Sequence, residues 1–187
     1  MKWLVAGVLC LMAVAVARPA AAQTPKAEIS GGYNWLTAKA SGDEEWEKFP
    51  KGWYFDVAGN MTDTVSVVGQ ITGNYKTFED EDFDLNIHTF MGGVRAGSAG
   101  RVKGFGQFLV GGAKVGATAT GIGDFSETDF AIQFGGGVTV LGSGGVGLRL
   151  GLDWQRVFAS DTGEVLVGDD VNGIRFSVGV SFGIGSR

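Results

Sequence analysis

Gly173-Ile174-Arg175-Phe176-Ser177-Val178-Gly179-Val180-Ser181-Phe182 alternates without a break. Ile174, Phe176, Val178, Val180 and Phe182 fall on one face, and Gly173, Arg175, Ser177, Gly179 and Ser181 on the other. A period of two is that of a β-strand, whose successive side chains point to opposite sides. Immediately upstream, Val146, Leu148, Leu150, Leu152 and Trp154 alternate with Gly147, Arg149, Gly151, Asp153 and Gln155. Phe130, Ile132, Phe134, Val138 and Val140 do so with Asp129, Ala131, Gln133, Gly135 and Thr139, and Val65, Val67, Ile71 and Tyr75 with Ser66, Gln70, Thr72 and Asn74. Two further strands place Ile29, Tyr33 and Trp35 opposite Glu28, Ser30 and Asn34, and Trp53, Phe55 and Val57 opposite Tyr54, Asp56 and Asn60. Segments 84–95 and 102–115 complete a set of eight. In those two, Thr89-Phe90-Met91 and Phe108-Leu109-Val110 are apolar on both faces, so their facing stays open.

The character of the two faces decides the environment. A soluble barrel, such as a lipocalin-like ligand carrier, fills its inside with bulky apolar side chains and shows water its polar face. Here the apolar face carries aromatic and branched residues throughout, while the other is largely Gly, Ser, Ala, Asn and Gln with a few charges. A water-facing surface is not built mainly of Gly, Ala and Ser, whereas small residues with paired charges fit the narrow inside of an eight-stranded membrane barrel. Glycine, at 33 of 187 residues, alternates with Val, Ile, Phe and Leu, unlike a Ser- or Gln-rich disordered tract. Links at 61–64, 96–101 and 141–145 are short, and those at 38–51, 76–83, 116–127 and 158–170 are longer. Short periplasmic turns alternating with longer external loops, with both termini periplasmic, mark an all-β, eight-stranded antiparallel up-and-down transmembrane β-barrel, its strands of about 9–11 residues crossing the bilayer at a tilt.

The N-terminus supplies the route. Lys2 precedes the apolar run from Leu4 to Val16, and Arg18-Pro19 leads into Ala20-Ala21-Ala22-Gln23. The run is too short to span a bilayer of roughly 30 Å, and the small residues at 20 and 22 suit cleavage after Ala22. The expectation is a signal peptide over 1–22 and a single barrel domain over 23–187. Cys10 sits behind Leu9, where a lipoprotein signal has a small residue, so lipidation is not expected. Removal of that segment takes away Lys2, Arg18 and the sole cysteine, leaving 13 basic against 20 acidic side chains, near −7. A thiol-free acidic chain has no disulfide framework or cysteine-ligated metal, and no basic patch for nucleic acid.

The opening Ile29-Ser30-Gly31-Gly32-Tyr33-Asn34-Trp35 and the closing Arg175-Phe176-Ser177-Val178-Gly179-Val180-Ser181-Phe182, behind such a signal, resemble the outer membrane protein β-barrel domain family, in particular small barrels of the outer membrane protein A and X types. The resemblance covers the whole mature chain and implies an outer-membrane location. It also implies outer-membrane lipid and lipopolysaccharide as surroundings, and the barrel-assembly machinery as a partner. Such chains usually end in an aromatic residue, whereas this one continues past Phe182 to Gly183-Ile184-Gly185-Ser186-Arg187.

Chemistry has few places to reside. Catalysis would have to draw on the lone histidine, His88, near the external end of the fourth barrel strand, and no nucleophile-elbow serine accompanies it. Histidine-cluster metal sites are excluded by count. Asp43-Glu44-Glu45 with Glu47, and Glu79-Asp80-Glu81-Asp82 with Asp84, form acidic loops that lack the spacing of a calcium hand and read as solvated charge or weak divalent bridging to lipopolysaccharide. Trp46 and Phe49 in the first loop are candidate partner contacts or girdle residues. Inside the barrel, the alternation places Glu28, Asp56, Asp129 and Asp153 with Arg95, Lys103, Arg149 and Arg175. Four acids and four bases in a closed interior are expected to pair, plugging the lumen.

No cofactor is expected. The reading that follows is a non-enzymatic barrel whose external loops or envelope contacts carry adhesion, surface protection or membrane integrity. A narrow ion-conducting pore is the alternative, and a lipid-acting enzyme the third. The external partner is not specified by the residues.

Overall fold

The computed structural model describes residues 25–41, 45–78, 83–119, 123–142, 145–159 and 170–185. The expected signal peptide over 1–22 lies outside them. Strands β1 (Ala27–Ala40), β3 (Lys51–Asn60), β4 (Val65–Phe78), β5 (Phe83–Gly97), β6 (Val102–Ala119), β7 (Gly123–Leu141), β8 (Val146–Phe158) and β9 (Val171–Ile184) pair antiparallel in chain order. Pairing of β1 with β9, from Ala27↔Ile184 to Ala40↔Val171, closes the sheet into an eight-stranded barrel. A three-residue strand, β2 (Glu47–Phe49), adds to the external end of β1 through Leu36↔Phe49 and Ala38↔Glu47.

Side-chain facing follows the alternation. Along β8, Val146, Leu148, Leu150 and Leu152 are exposed while Gly147, Arg149, Gly151 and Asp153 are buried. The contrast is inside-out for a soluble protein, since Leu148 is 65% exposed and Arg175 1%. A continuous belt of exposed Val, Leu, Ile, Phe, Trp and Tyr round the barrel belongs in hydrocarbon, and closure leaves no strand edge for lipid to meet unpaired. The soluble, lipocalin-like alternative has the opposite arrangement and is set aside.

On β5 and β6, where the alternation left the facing open, Ile87, Thr89, Met91 and Arg95 point inward with Gln107, Leu109, Ala113 and Val115, while Phe90, Val94, Phe108 and Val110 face out. The interior is therefore less polar than the alternation implied. Ala58, Val68, Met91, Leu109, Ala113, Ala131 and Val157 form one apolar cluster inside the barrel.

Connections differ at the two ends. The short turns lie between β3 and β4, β5 and β6, and β7 and β8, at the end that holds Ala27 and Ile184. In the last of them Gly145 has φ 78°, a left-handed conformation that a side chain would strain. At the other end two of the expected loops are shorter than the alternation suggested. Pairing of β4 with β5 continues to Phe78↔Phe83, and of β6 with β7 to Ala119↔Gly123, so most of 116–127 is strand. Backbone ladders do not need an apolar face to continue above the bilayer, so strand length exceeds the length of the hydropathy signal. Strands β6 and β7 reach 18 and 19 residues, beyond the expected 9–11.

Candidate functional site: the barrel interior and its external mouth

Inward-facing positions of all eight barrel strands meet in one hydrogen-bonded and ion-paired network. Glu28 on β1 meets Arg149 of β8 at 3.3 Å and Lys103 of β6 at 3.6 Å. Arg149 also donates to Ser30 Oγ at 3.1 Å and approaches Asp56 of β3 at 3.8 Å. Asp56 in turn meets Arg95 of β5 at 3.3 Å. Arg95 donates to Gln107 Oε1 through Nε and a terminal nitrogen at 3.1 and 2.9 Å, and Gln107 Nε2 donates to Asp153 Oδ1 at 2.9 Å. Asp153 pairs with Arg175 of β9 at 3.5 Å. Arg175 donates to Gln70 Oε1 of β4 at 2.7 Å, and Gln133 of β7 donates to the same oxygen at 3.1 Å.

Seven of the eight interior residues singled out from the sequence thus lie in one connected set: Glu28, Asp56, Arg95, Lys103, Arg149, Asp153 and Arg175. Asp129 is buried as well, facing inward from β7 with Ala113 of β6 as its register partner. Sequence reasoning missed the linking residues, Gln70, Gln107, Gln133 and Ser30. Ser30, Gln70 and Gln133 sit on the inward phase that the alternation assigns to their strands, whereas Gln107 lies on β6, whose facing the alternation left open. Phe105 was also missed. The guanidinium groups of Arg149 and Arg95 stand over its ring at 4.2 and 5.0 Å, a cation–π arrangement within the network.

Toward the external mouth the lining changes character. Leu36, Ala38, Phe49, Ile87 and Val115 form a second apolar cluster, with Leu85 and Val171 against it. Phe49, a candidate partner contact, is instead 4% exposed and tucked into this cluster by the pairing of β2 with β1. Trp46 stays exposed, with the Lys39 ammonium 5.5 Å above its ring. The cluster lines a partly open cavity of about 190 Å³.

His88 is on the outer face, away from both regions. Its Nε2 is 3.0 Å from the Tyr75 hydroxyl, which accepts from Trp53 Nε1 at 3.2 Å. Tyr33 and Trp35 meet edge-on at 4.6 Å, and Trp35 stacks on Phe176 at 5.5 Å. These residues form an aromatic band near the external interface, with His88 as its polar member. Of the acidic loop residues, Asp43, Glu44 and 79–82 lie outside the described residues. Glu45 is exposed, and Glu47 pairs with Lys76. Among the described residues no three His, Cys, Asp or Glu gather as a metal site.

A family model described as the outer membrane protein β-barrel domain matches residues 6–183. Solved structures with the same fold include Neisserial surface protein A, with a TM-score of 0.70, 13% identity and coverage of 85% of this chain and 97% of that one. Ail, the attachment invasion locus protein of Yersinia pestis, gives 0.59 with 17% identity, covering 85% and 98%, and a second structure of Ail holds the heparin analogue sucrose octasulfate. Outer membrane protein OprG of Pseudomonas aeruginosa gives 0.51 with 7% identity, covering 88% and 98%. No curated protein shows a significant sequence match.

Proposed function

The chain belongs to the outer membrane protein β-barrel domain family, and we propose that it is a closed, non-conducting and non-enzymatic barrel whose role is carried at its external end, in adhesion, surface protection or membrane integrity. The observation that carries this reading is the network joining all eight strands across the lumen. Charges that neutralise one another at 3.3–3.8 Å leave little incentive for a file of hydrated ions, and the arginines fill a bore that eight strands already make narrow. Glu28, Asp56, Arg95, Lys103, Asp129, Arg149, Asp153 and Arg175 therefore serve as a structural polar core. The position of His88 in the outer aromatic band, with a tyrosine hydroxyl as its partner, supports a girdle role over catalysis.

Export by a signal peptide cleaved after Ala22 fits a first strand that starts at Ala27. Insertion by the barrel-assembly machinery fits the uninterrupted alternation of β9. Lys51 and Lys114, exposed on the outer face near the external rim, suit the phosphates of lipopolysaccharide. The heparin analogue bound by Ail is polyanionic. This chain's external segments carry Asp43, Glu44, Glu45, Glu79, Asp80, Glu81 and Asp82 and would repel such a ligand, which favours a cationic partner or divalent bridges to lipopolysaccharide. The test is conductance across planar bilayers. Purified barrel should insert without unitary steps, and reproducible small steps would replace this reading with that of a narrow ion-conducting pore.

A further inference from the structure

The external half of the lumen is lined as though for a hydrocarbon. Leu36, Phe49, Ile87, Val115, Val157 and Val171 converge there from β1, β2, β5, β6, β8 and β9, yet leave about 190 Å³ unfilled. These side chains point away from lipid, so membrane contact does not account for their apolarity. A barrel stabilised only by polar pairing would continue the network upward, and one stabilised by packing would fill the space, since unfilled volume in a core is destabilising. The few polar groups around it are already engaged or peripheral. Glu47 pairs with Lys76, Lys39 stands over Trp46, and Gln155 is a single amide on the wall. The cavity is partly open, and its size and apolar lining suit a small hydrocarbon, as engineered cavities of roughly 150 Å³ suit benzene.

We propose that the external lumen is a binding site for an uncharged hydrocarbon group of about six to ten carbons, supplied either as a free monocyclic or short-chain molecule or as the end of an acyl chain. The polar network lies on its periplasmic side, so the site is a blind pocket and not a conduit. Phe49 is part of its wall, held there by the pairing of β2 with β1. Among the described residues the charged groups of the lining, Lys39 and Glu47, are engaged with Trp46 and Lys76, so selectivity comes from size and desolvation.

Ile87 makes the site observable, because among the described isoleucines it alone faces the lumen, while Ile29, Ile71, Ile132, Ile174 and Ile184 face outward. The full mature chain, labelled at isoleucine δ1 methyls, is placed in lipid nanodiscs and titrated with toluene. The Ile87 methyl should shift and saturate, while the outward methyls drift linearly as toluene partitions into lipid. Ala38→Phe, which fills the pocket, should reduce the Ile87 response at least tenfold while the unboiled protein keeps its compact gel mobility. Lipid labelled with nitroxide at the acyl terminus distinguishes the source. Selective broadening of Ile87 before toluene is added, reversed by toluene, assigns an acyl chain; its absence together with saturable binding assigns a free molecule. A linear or absent Ile87 response without broadening overturns the proposal, as does a saturable response that Ala38→Phe leaves intact.

Discussion

Arg175 and Arg149 are both buried guanidiniums on the inner wall, but their surroundings differ in redundancy. Removal of Arg149 leaves Glu28 with Lys103 and Asp56 with Arg95, whereas Asp153 has Arg175 as its one ion-pair partner among the described residues. Breaking a buried pair costs about 3–5 kcal/mol because the remaining charge is orphaned. Arg175→Leu should therefore lose about that much in denaturant titration from lipid vesicles, and Arg149→Leu measurably less. Equal losses would show that the network does not share charge locally. At the external end, the Asp170 carboxylate accepts from the Arg156 guanidinium and from the Ala159 amide, which hold its pKa below the ordinary carboxylate range. A depressed folded value means that the contact contributes above the ordinary value and is lost as pH falls through the depressed one. Protection of the Ala159 amide from hydrogen exchange should fall in that acid range, and Asp170→Asn should abolish the pH dependence. The polar residues most legible in the sequence were the charged ones. Gln70, Gln107 and Gln133 carry no such mark, and their linking role depends on which strands the barrel sets opposite each other.

Single strands test the inside–outside assignment. Val178 and Ser177 are neighbours on β9, with Ser177 buried toward the lumen and Val178 in the outward row. Residues 23–187 contain no cysteine, so a fluorophore on cysteine at 178 should be quenched by a lipid-soluble quencher far more than one at 177, and Val178→Arg should cost about 2–4 kcal/mol. Equal quenching would remove the membrane facing. On β4, a Cβ at Gly73 would come within 2.6 Å of Trp53 Nε1 and 3.0 Å of the Tyr75 hydroxyl, so glycine lets the indole lie across the strand and reach that hydroxyl. Gly73→Val should displace Trp53, seen as a shift of its emission, with the barrel still closed. Strands β1, β3, β4, β7, β8 and β9 were legible because their two faces differ in polarity. Strands β5 and β6 were not, because they line the apolar part of the lumen and lipid on their other side. Hydrophobicity cannot choose a phase for Met91 or Leu109, and only the ladder, through Met91↔Gly111 and Leu109↔Gly93, does so. The three-residue β2 was invisible within its loop for a related reason, since its existence depends on the free external edge of β1.

Closure of β1 on β9 over fourteen register pairs gives the whole molecule no edge from which to unravel. The purified protein should therefore run as a compact form in detergent gels until boiled, and identical migration of boiled and unboiled samples, with solubility in the absence of detergent, would refute the barrel in lipid. The sequence by itself determined that barrel: its class, its strand number and the lipid-facing rows of six of its strands. Those properties are written in a period of two, which each strand carries locally and which the bilayer enforces by leaving no apolar solvent inside and no water outside. Only the tertiary structure decided what the lumen is like. Which cation meets which anion, how glutamines connect pairs more than 60 residues apart, such as Gln70 with Gln133, and where Phe49 goes are set by shear and closure, which bring distant inward positions to one level. The apolar pocket above the network belongs to this second group, because an empty volume is a property of how strands are spaced around an axis, and no residue encodes it alone.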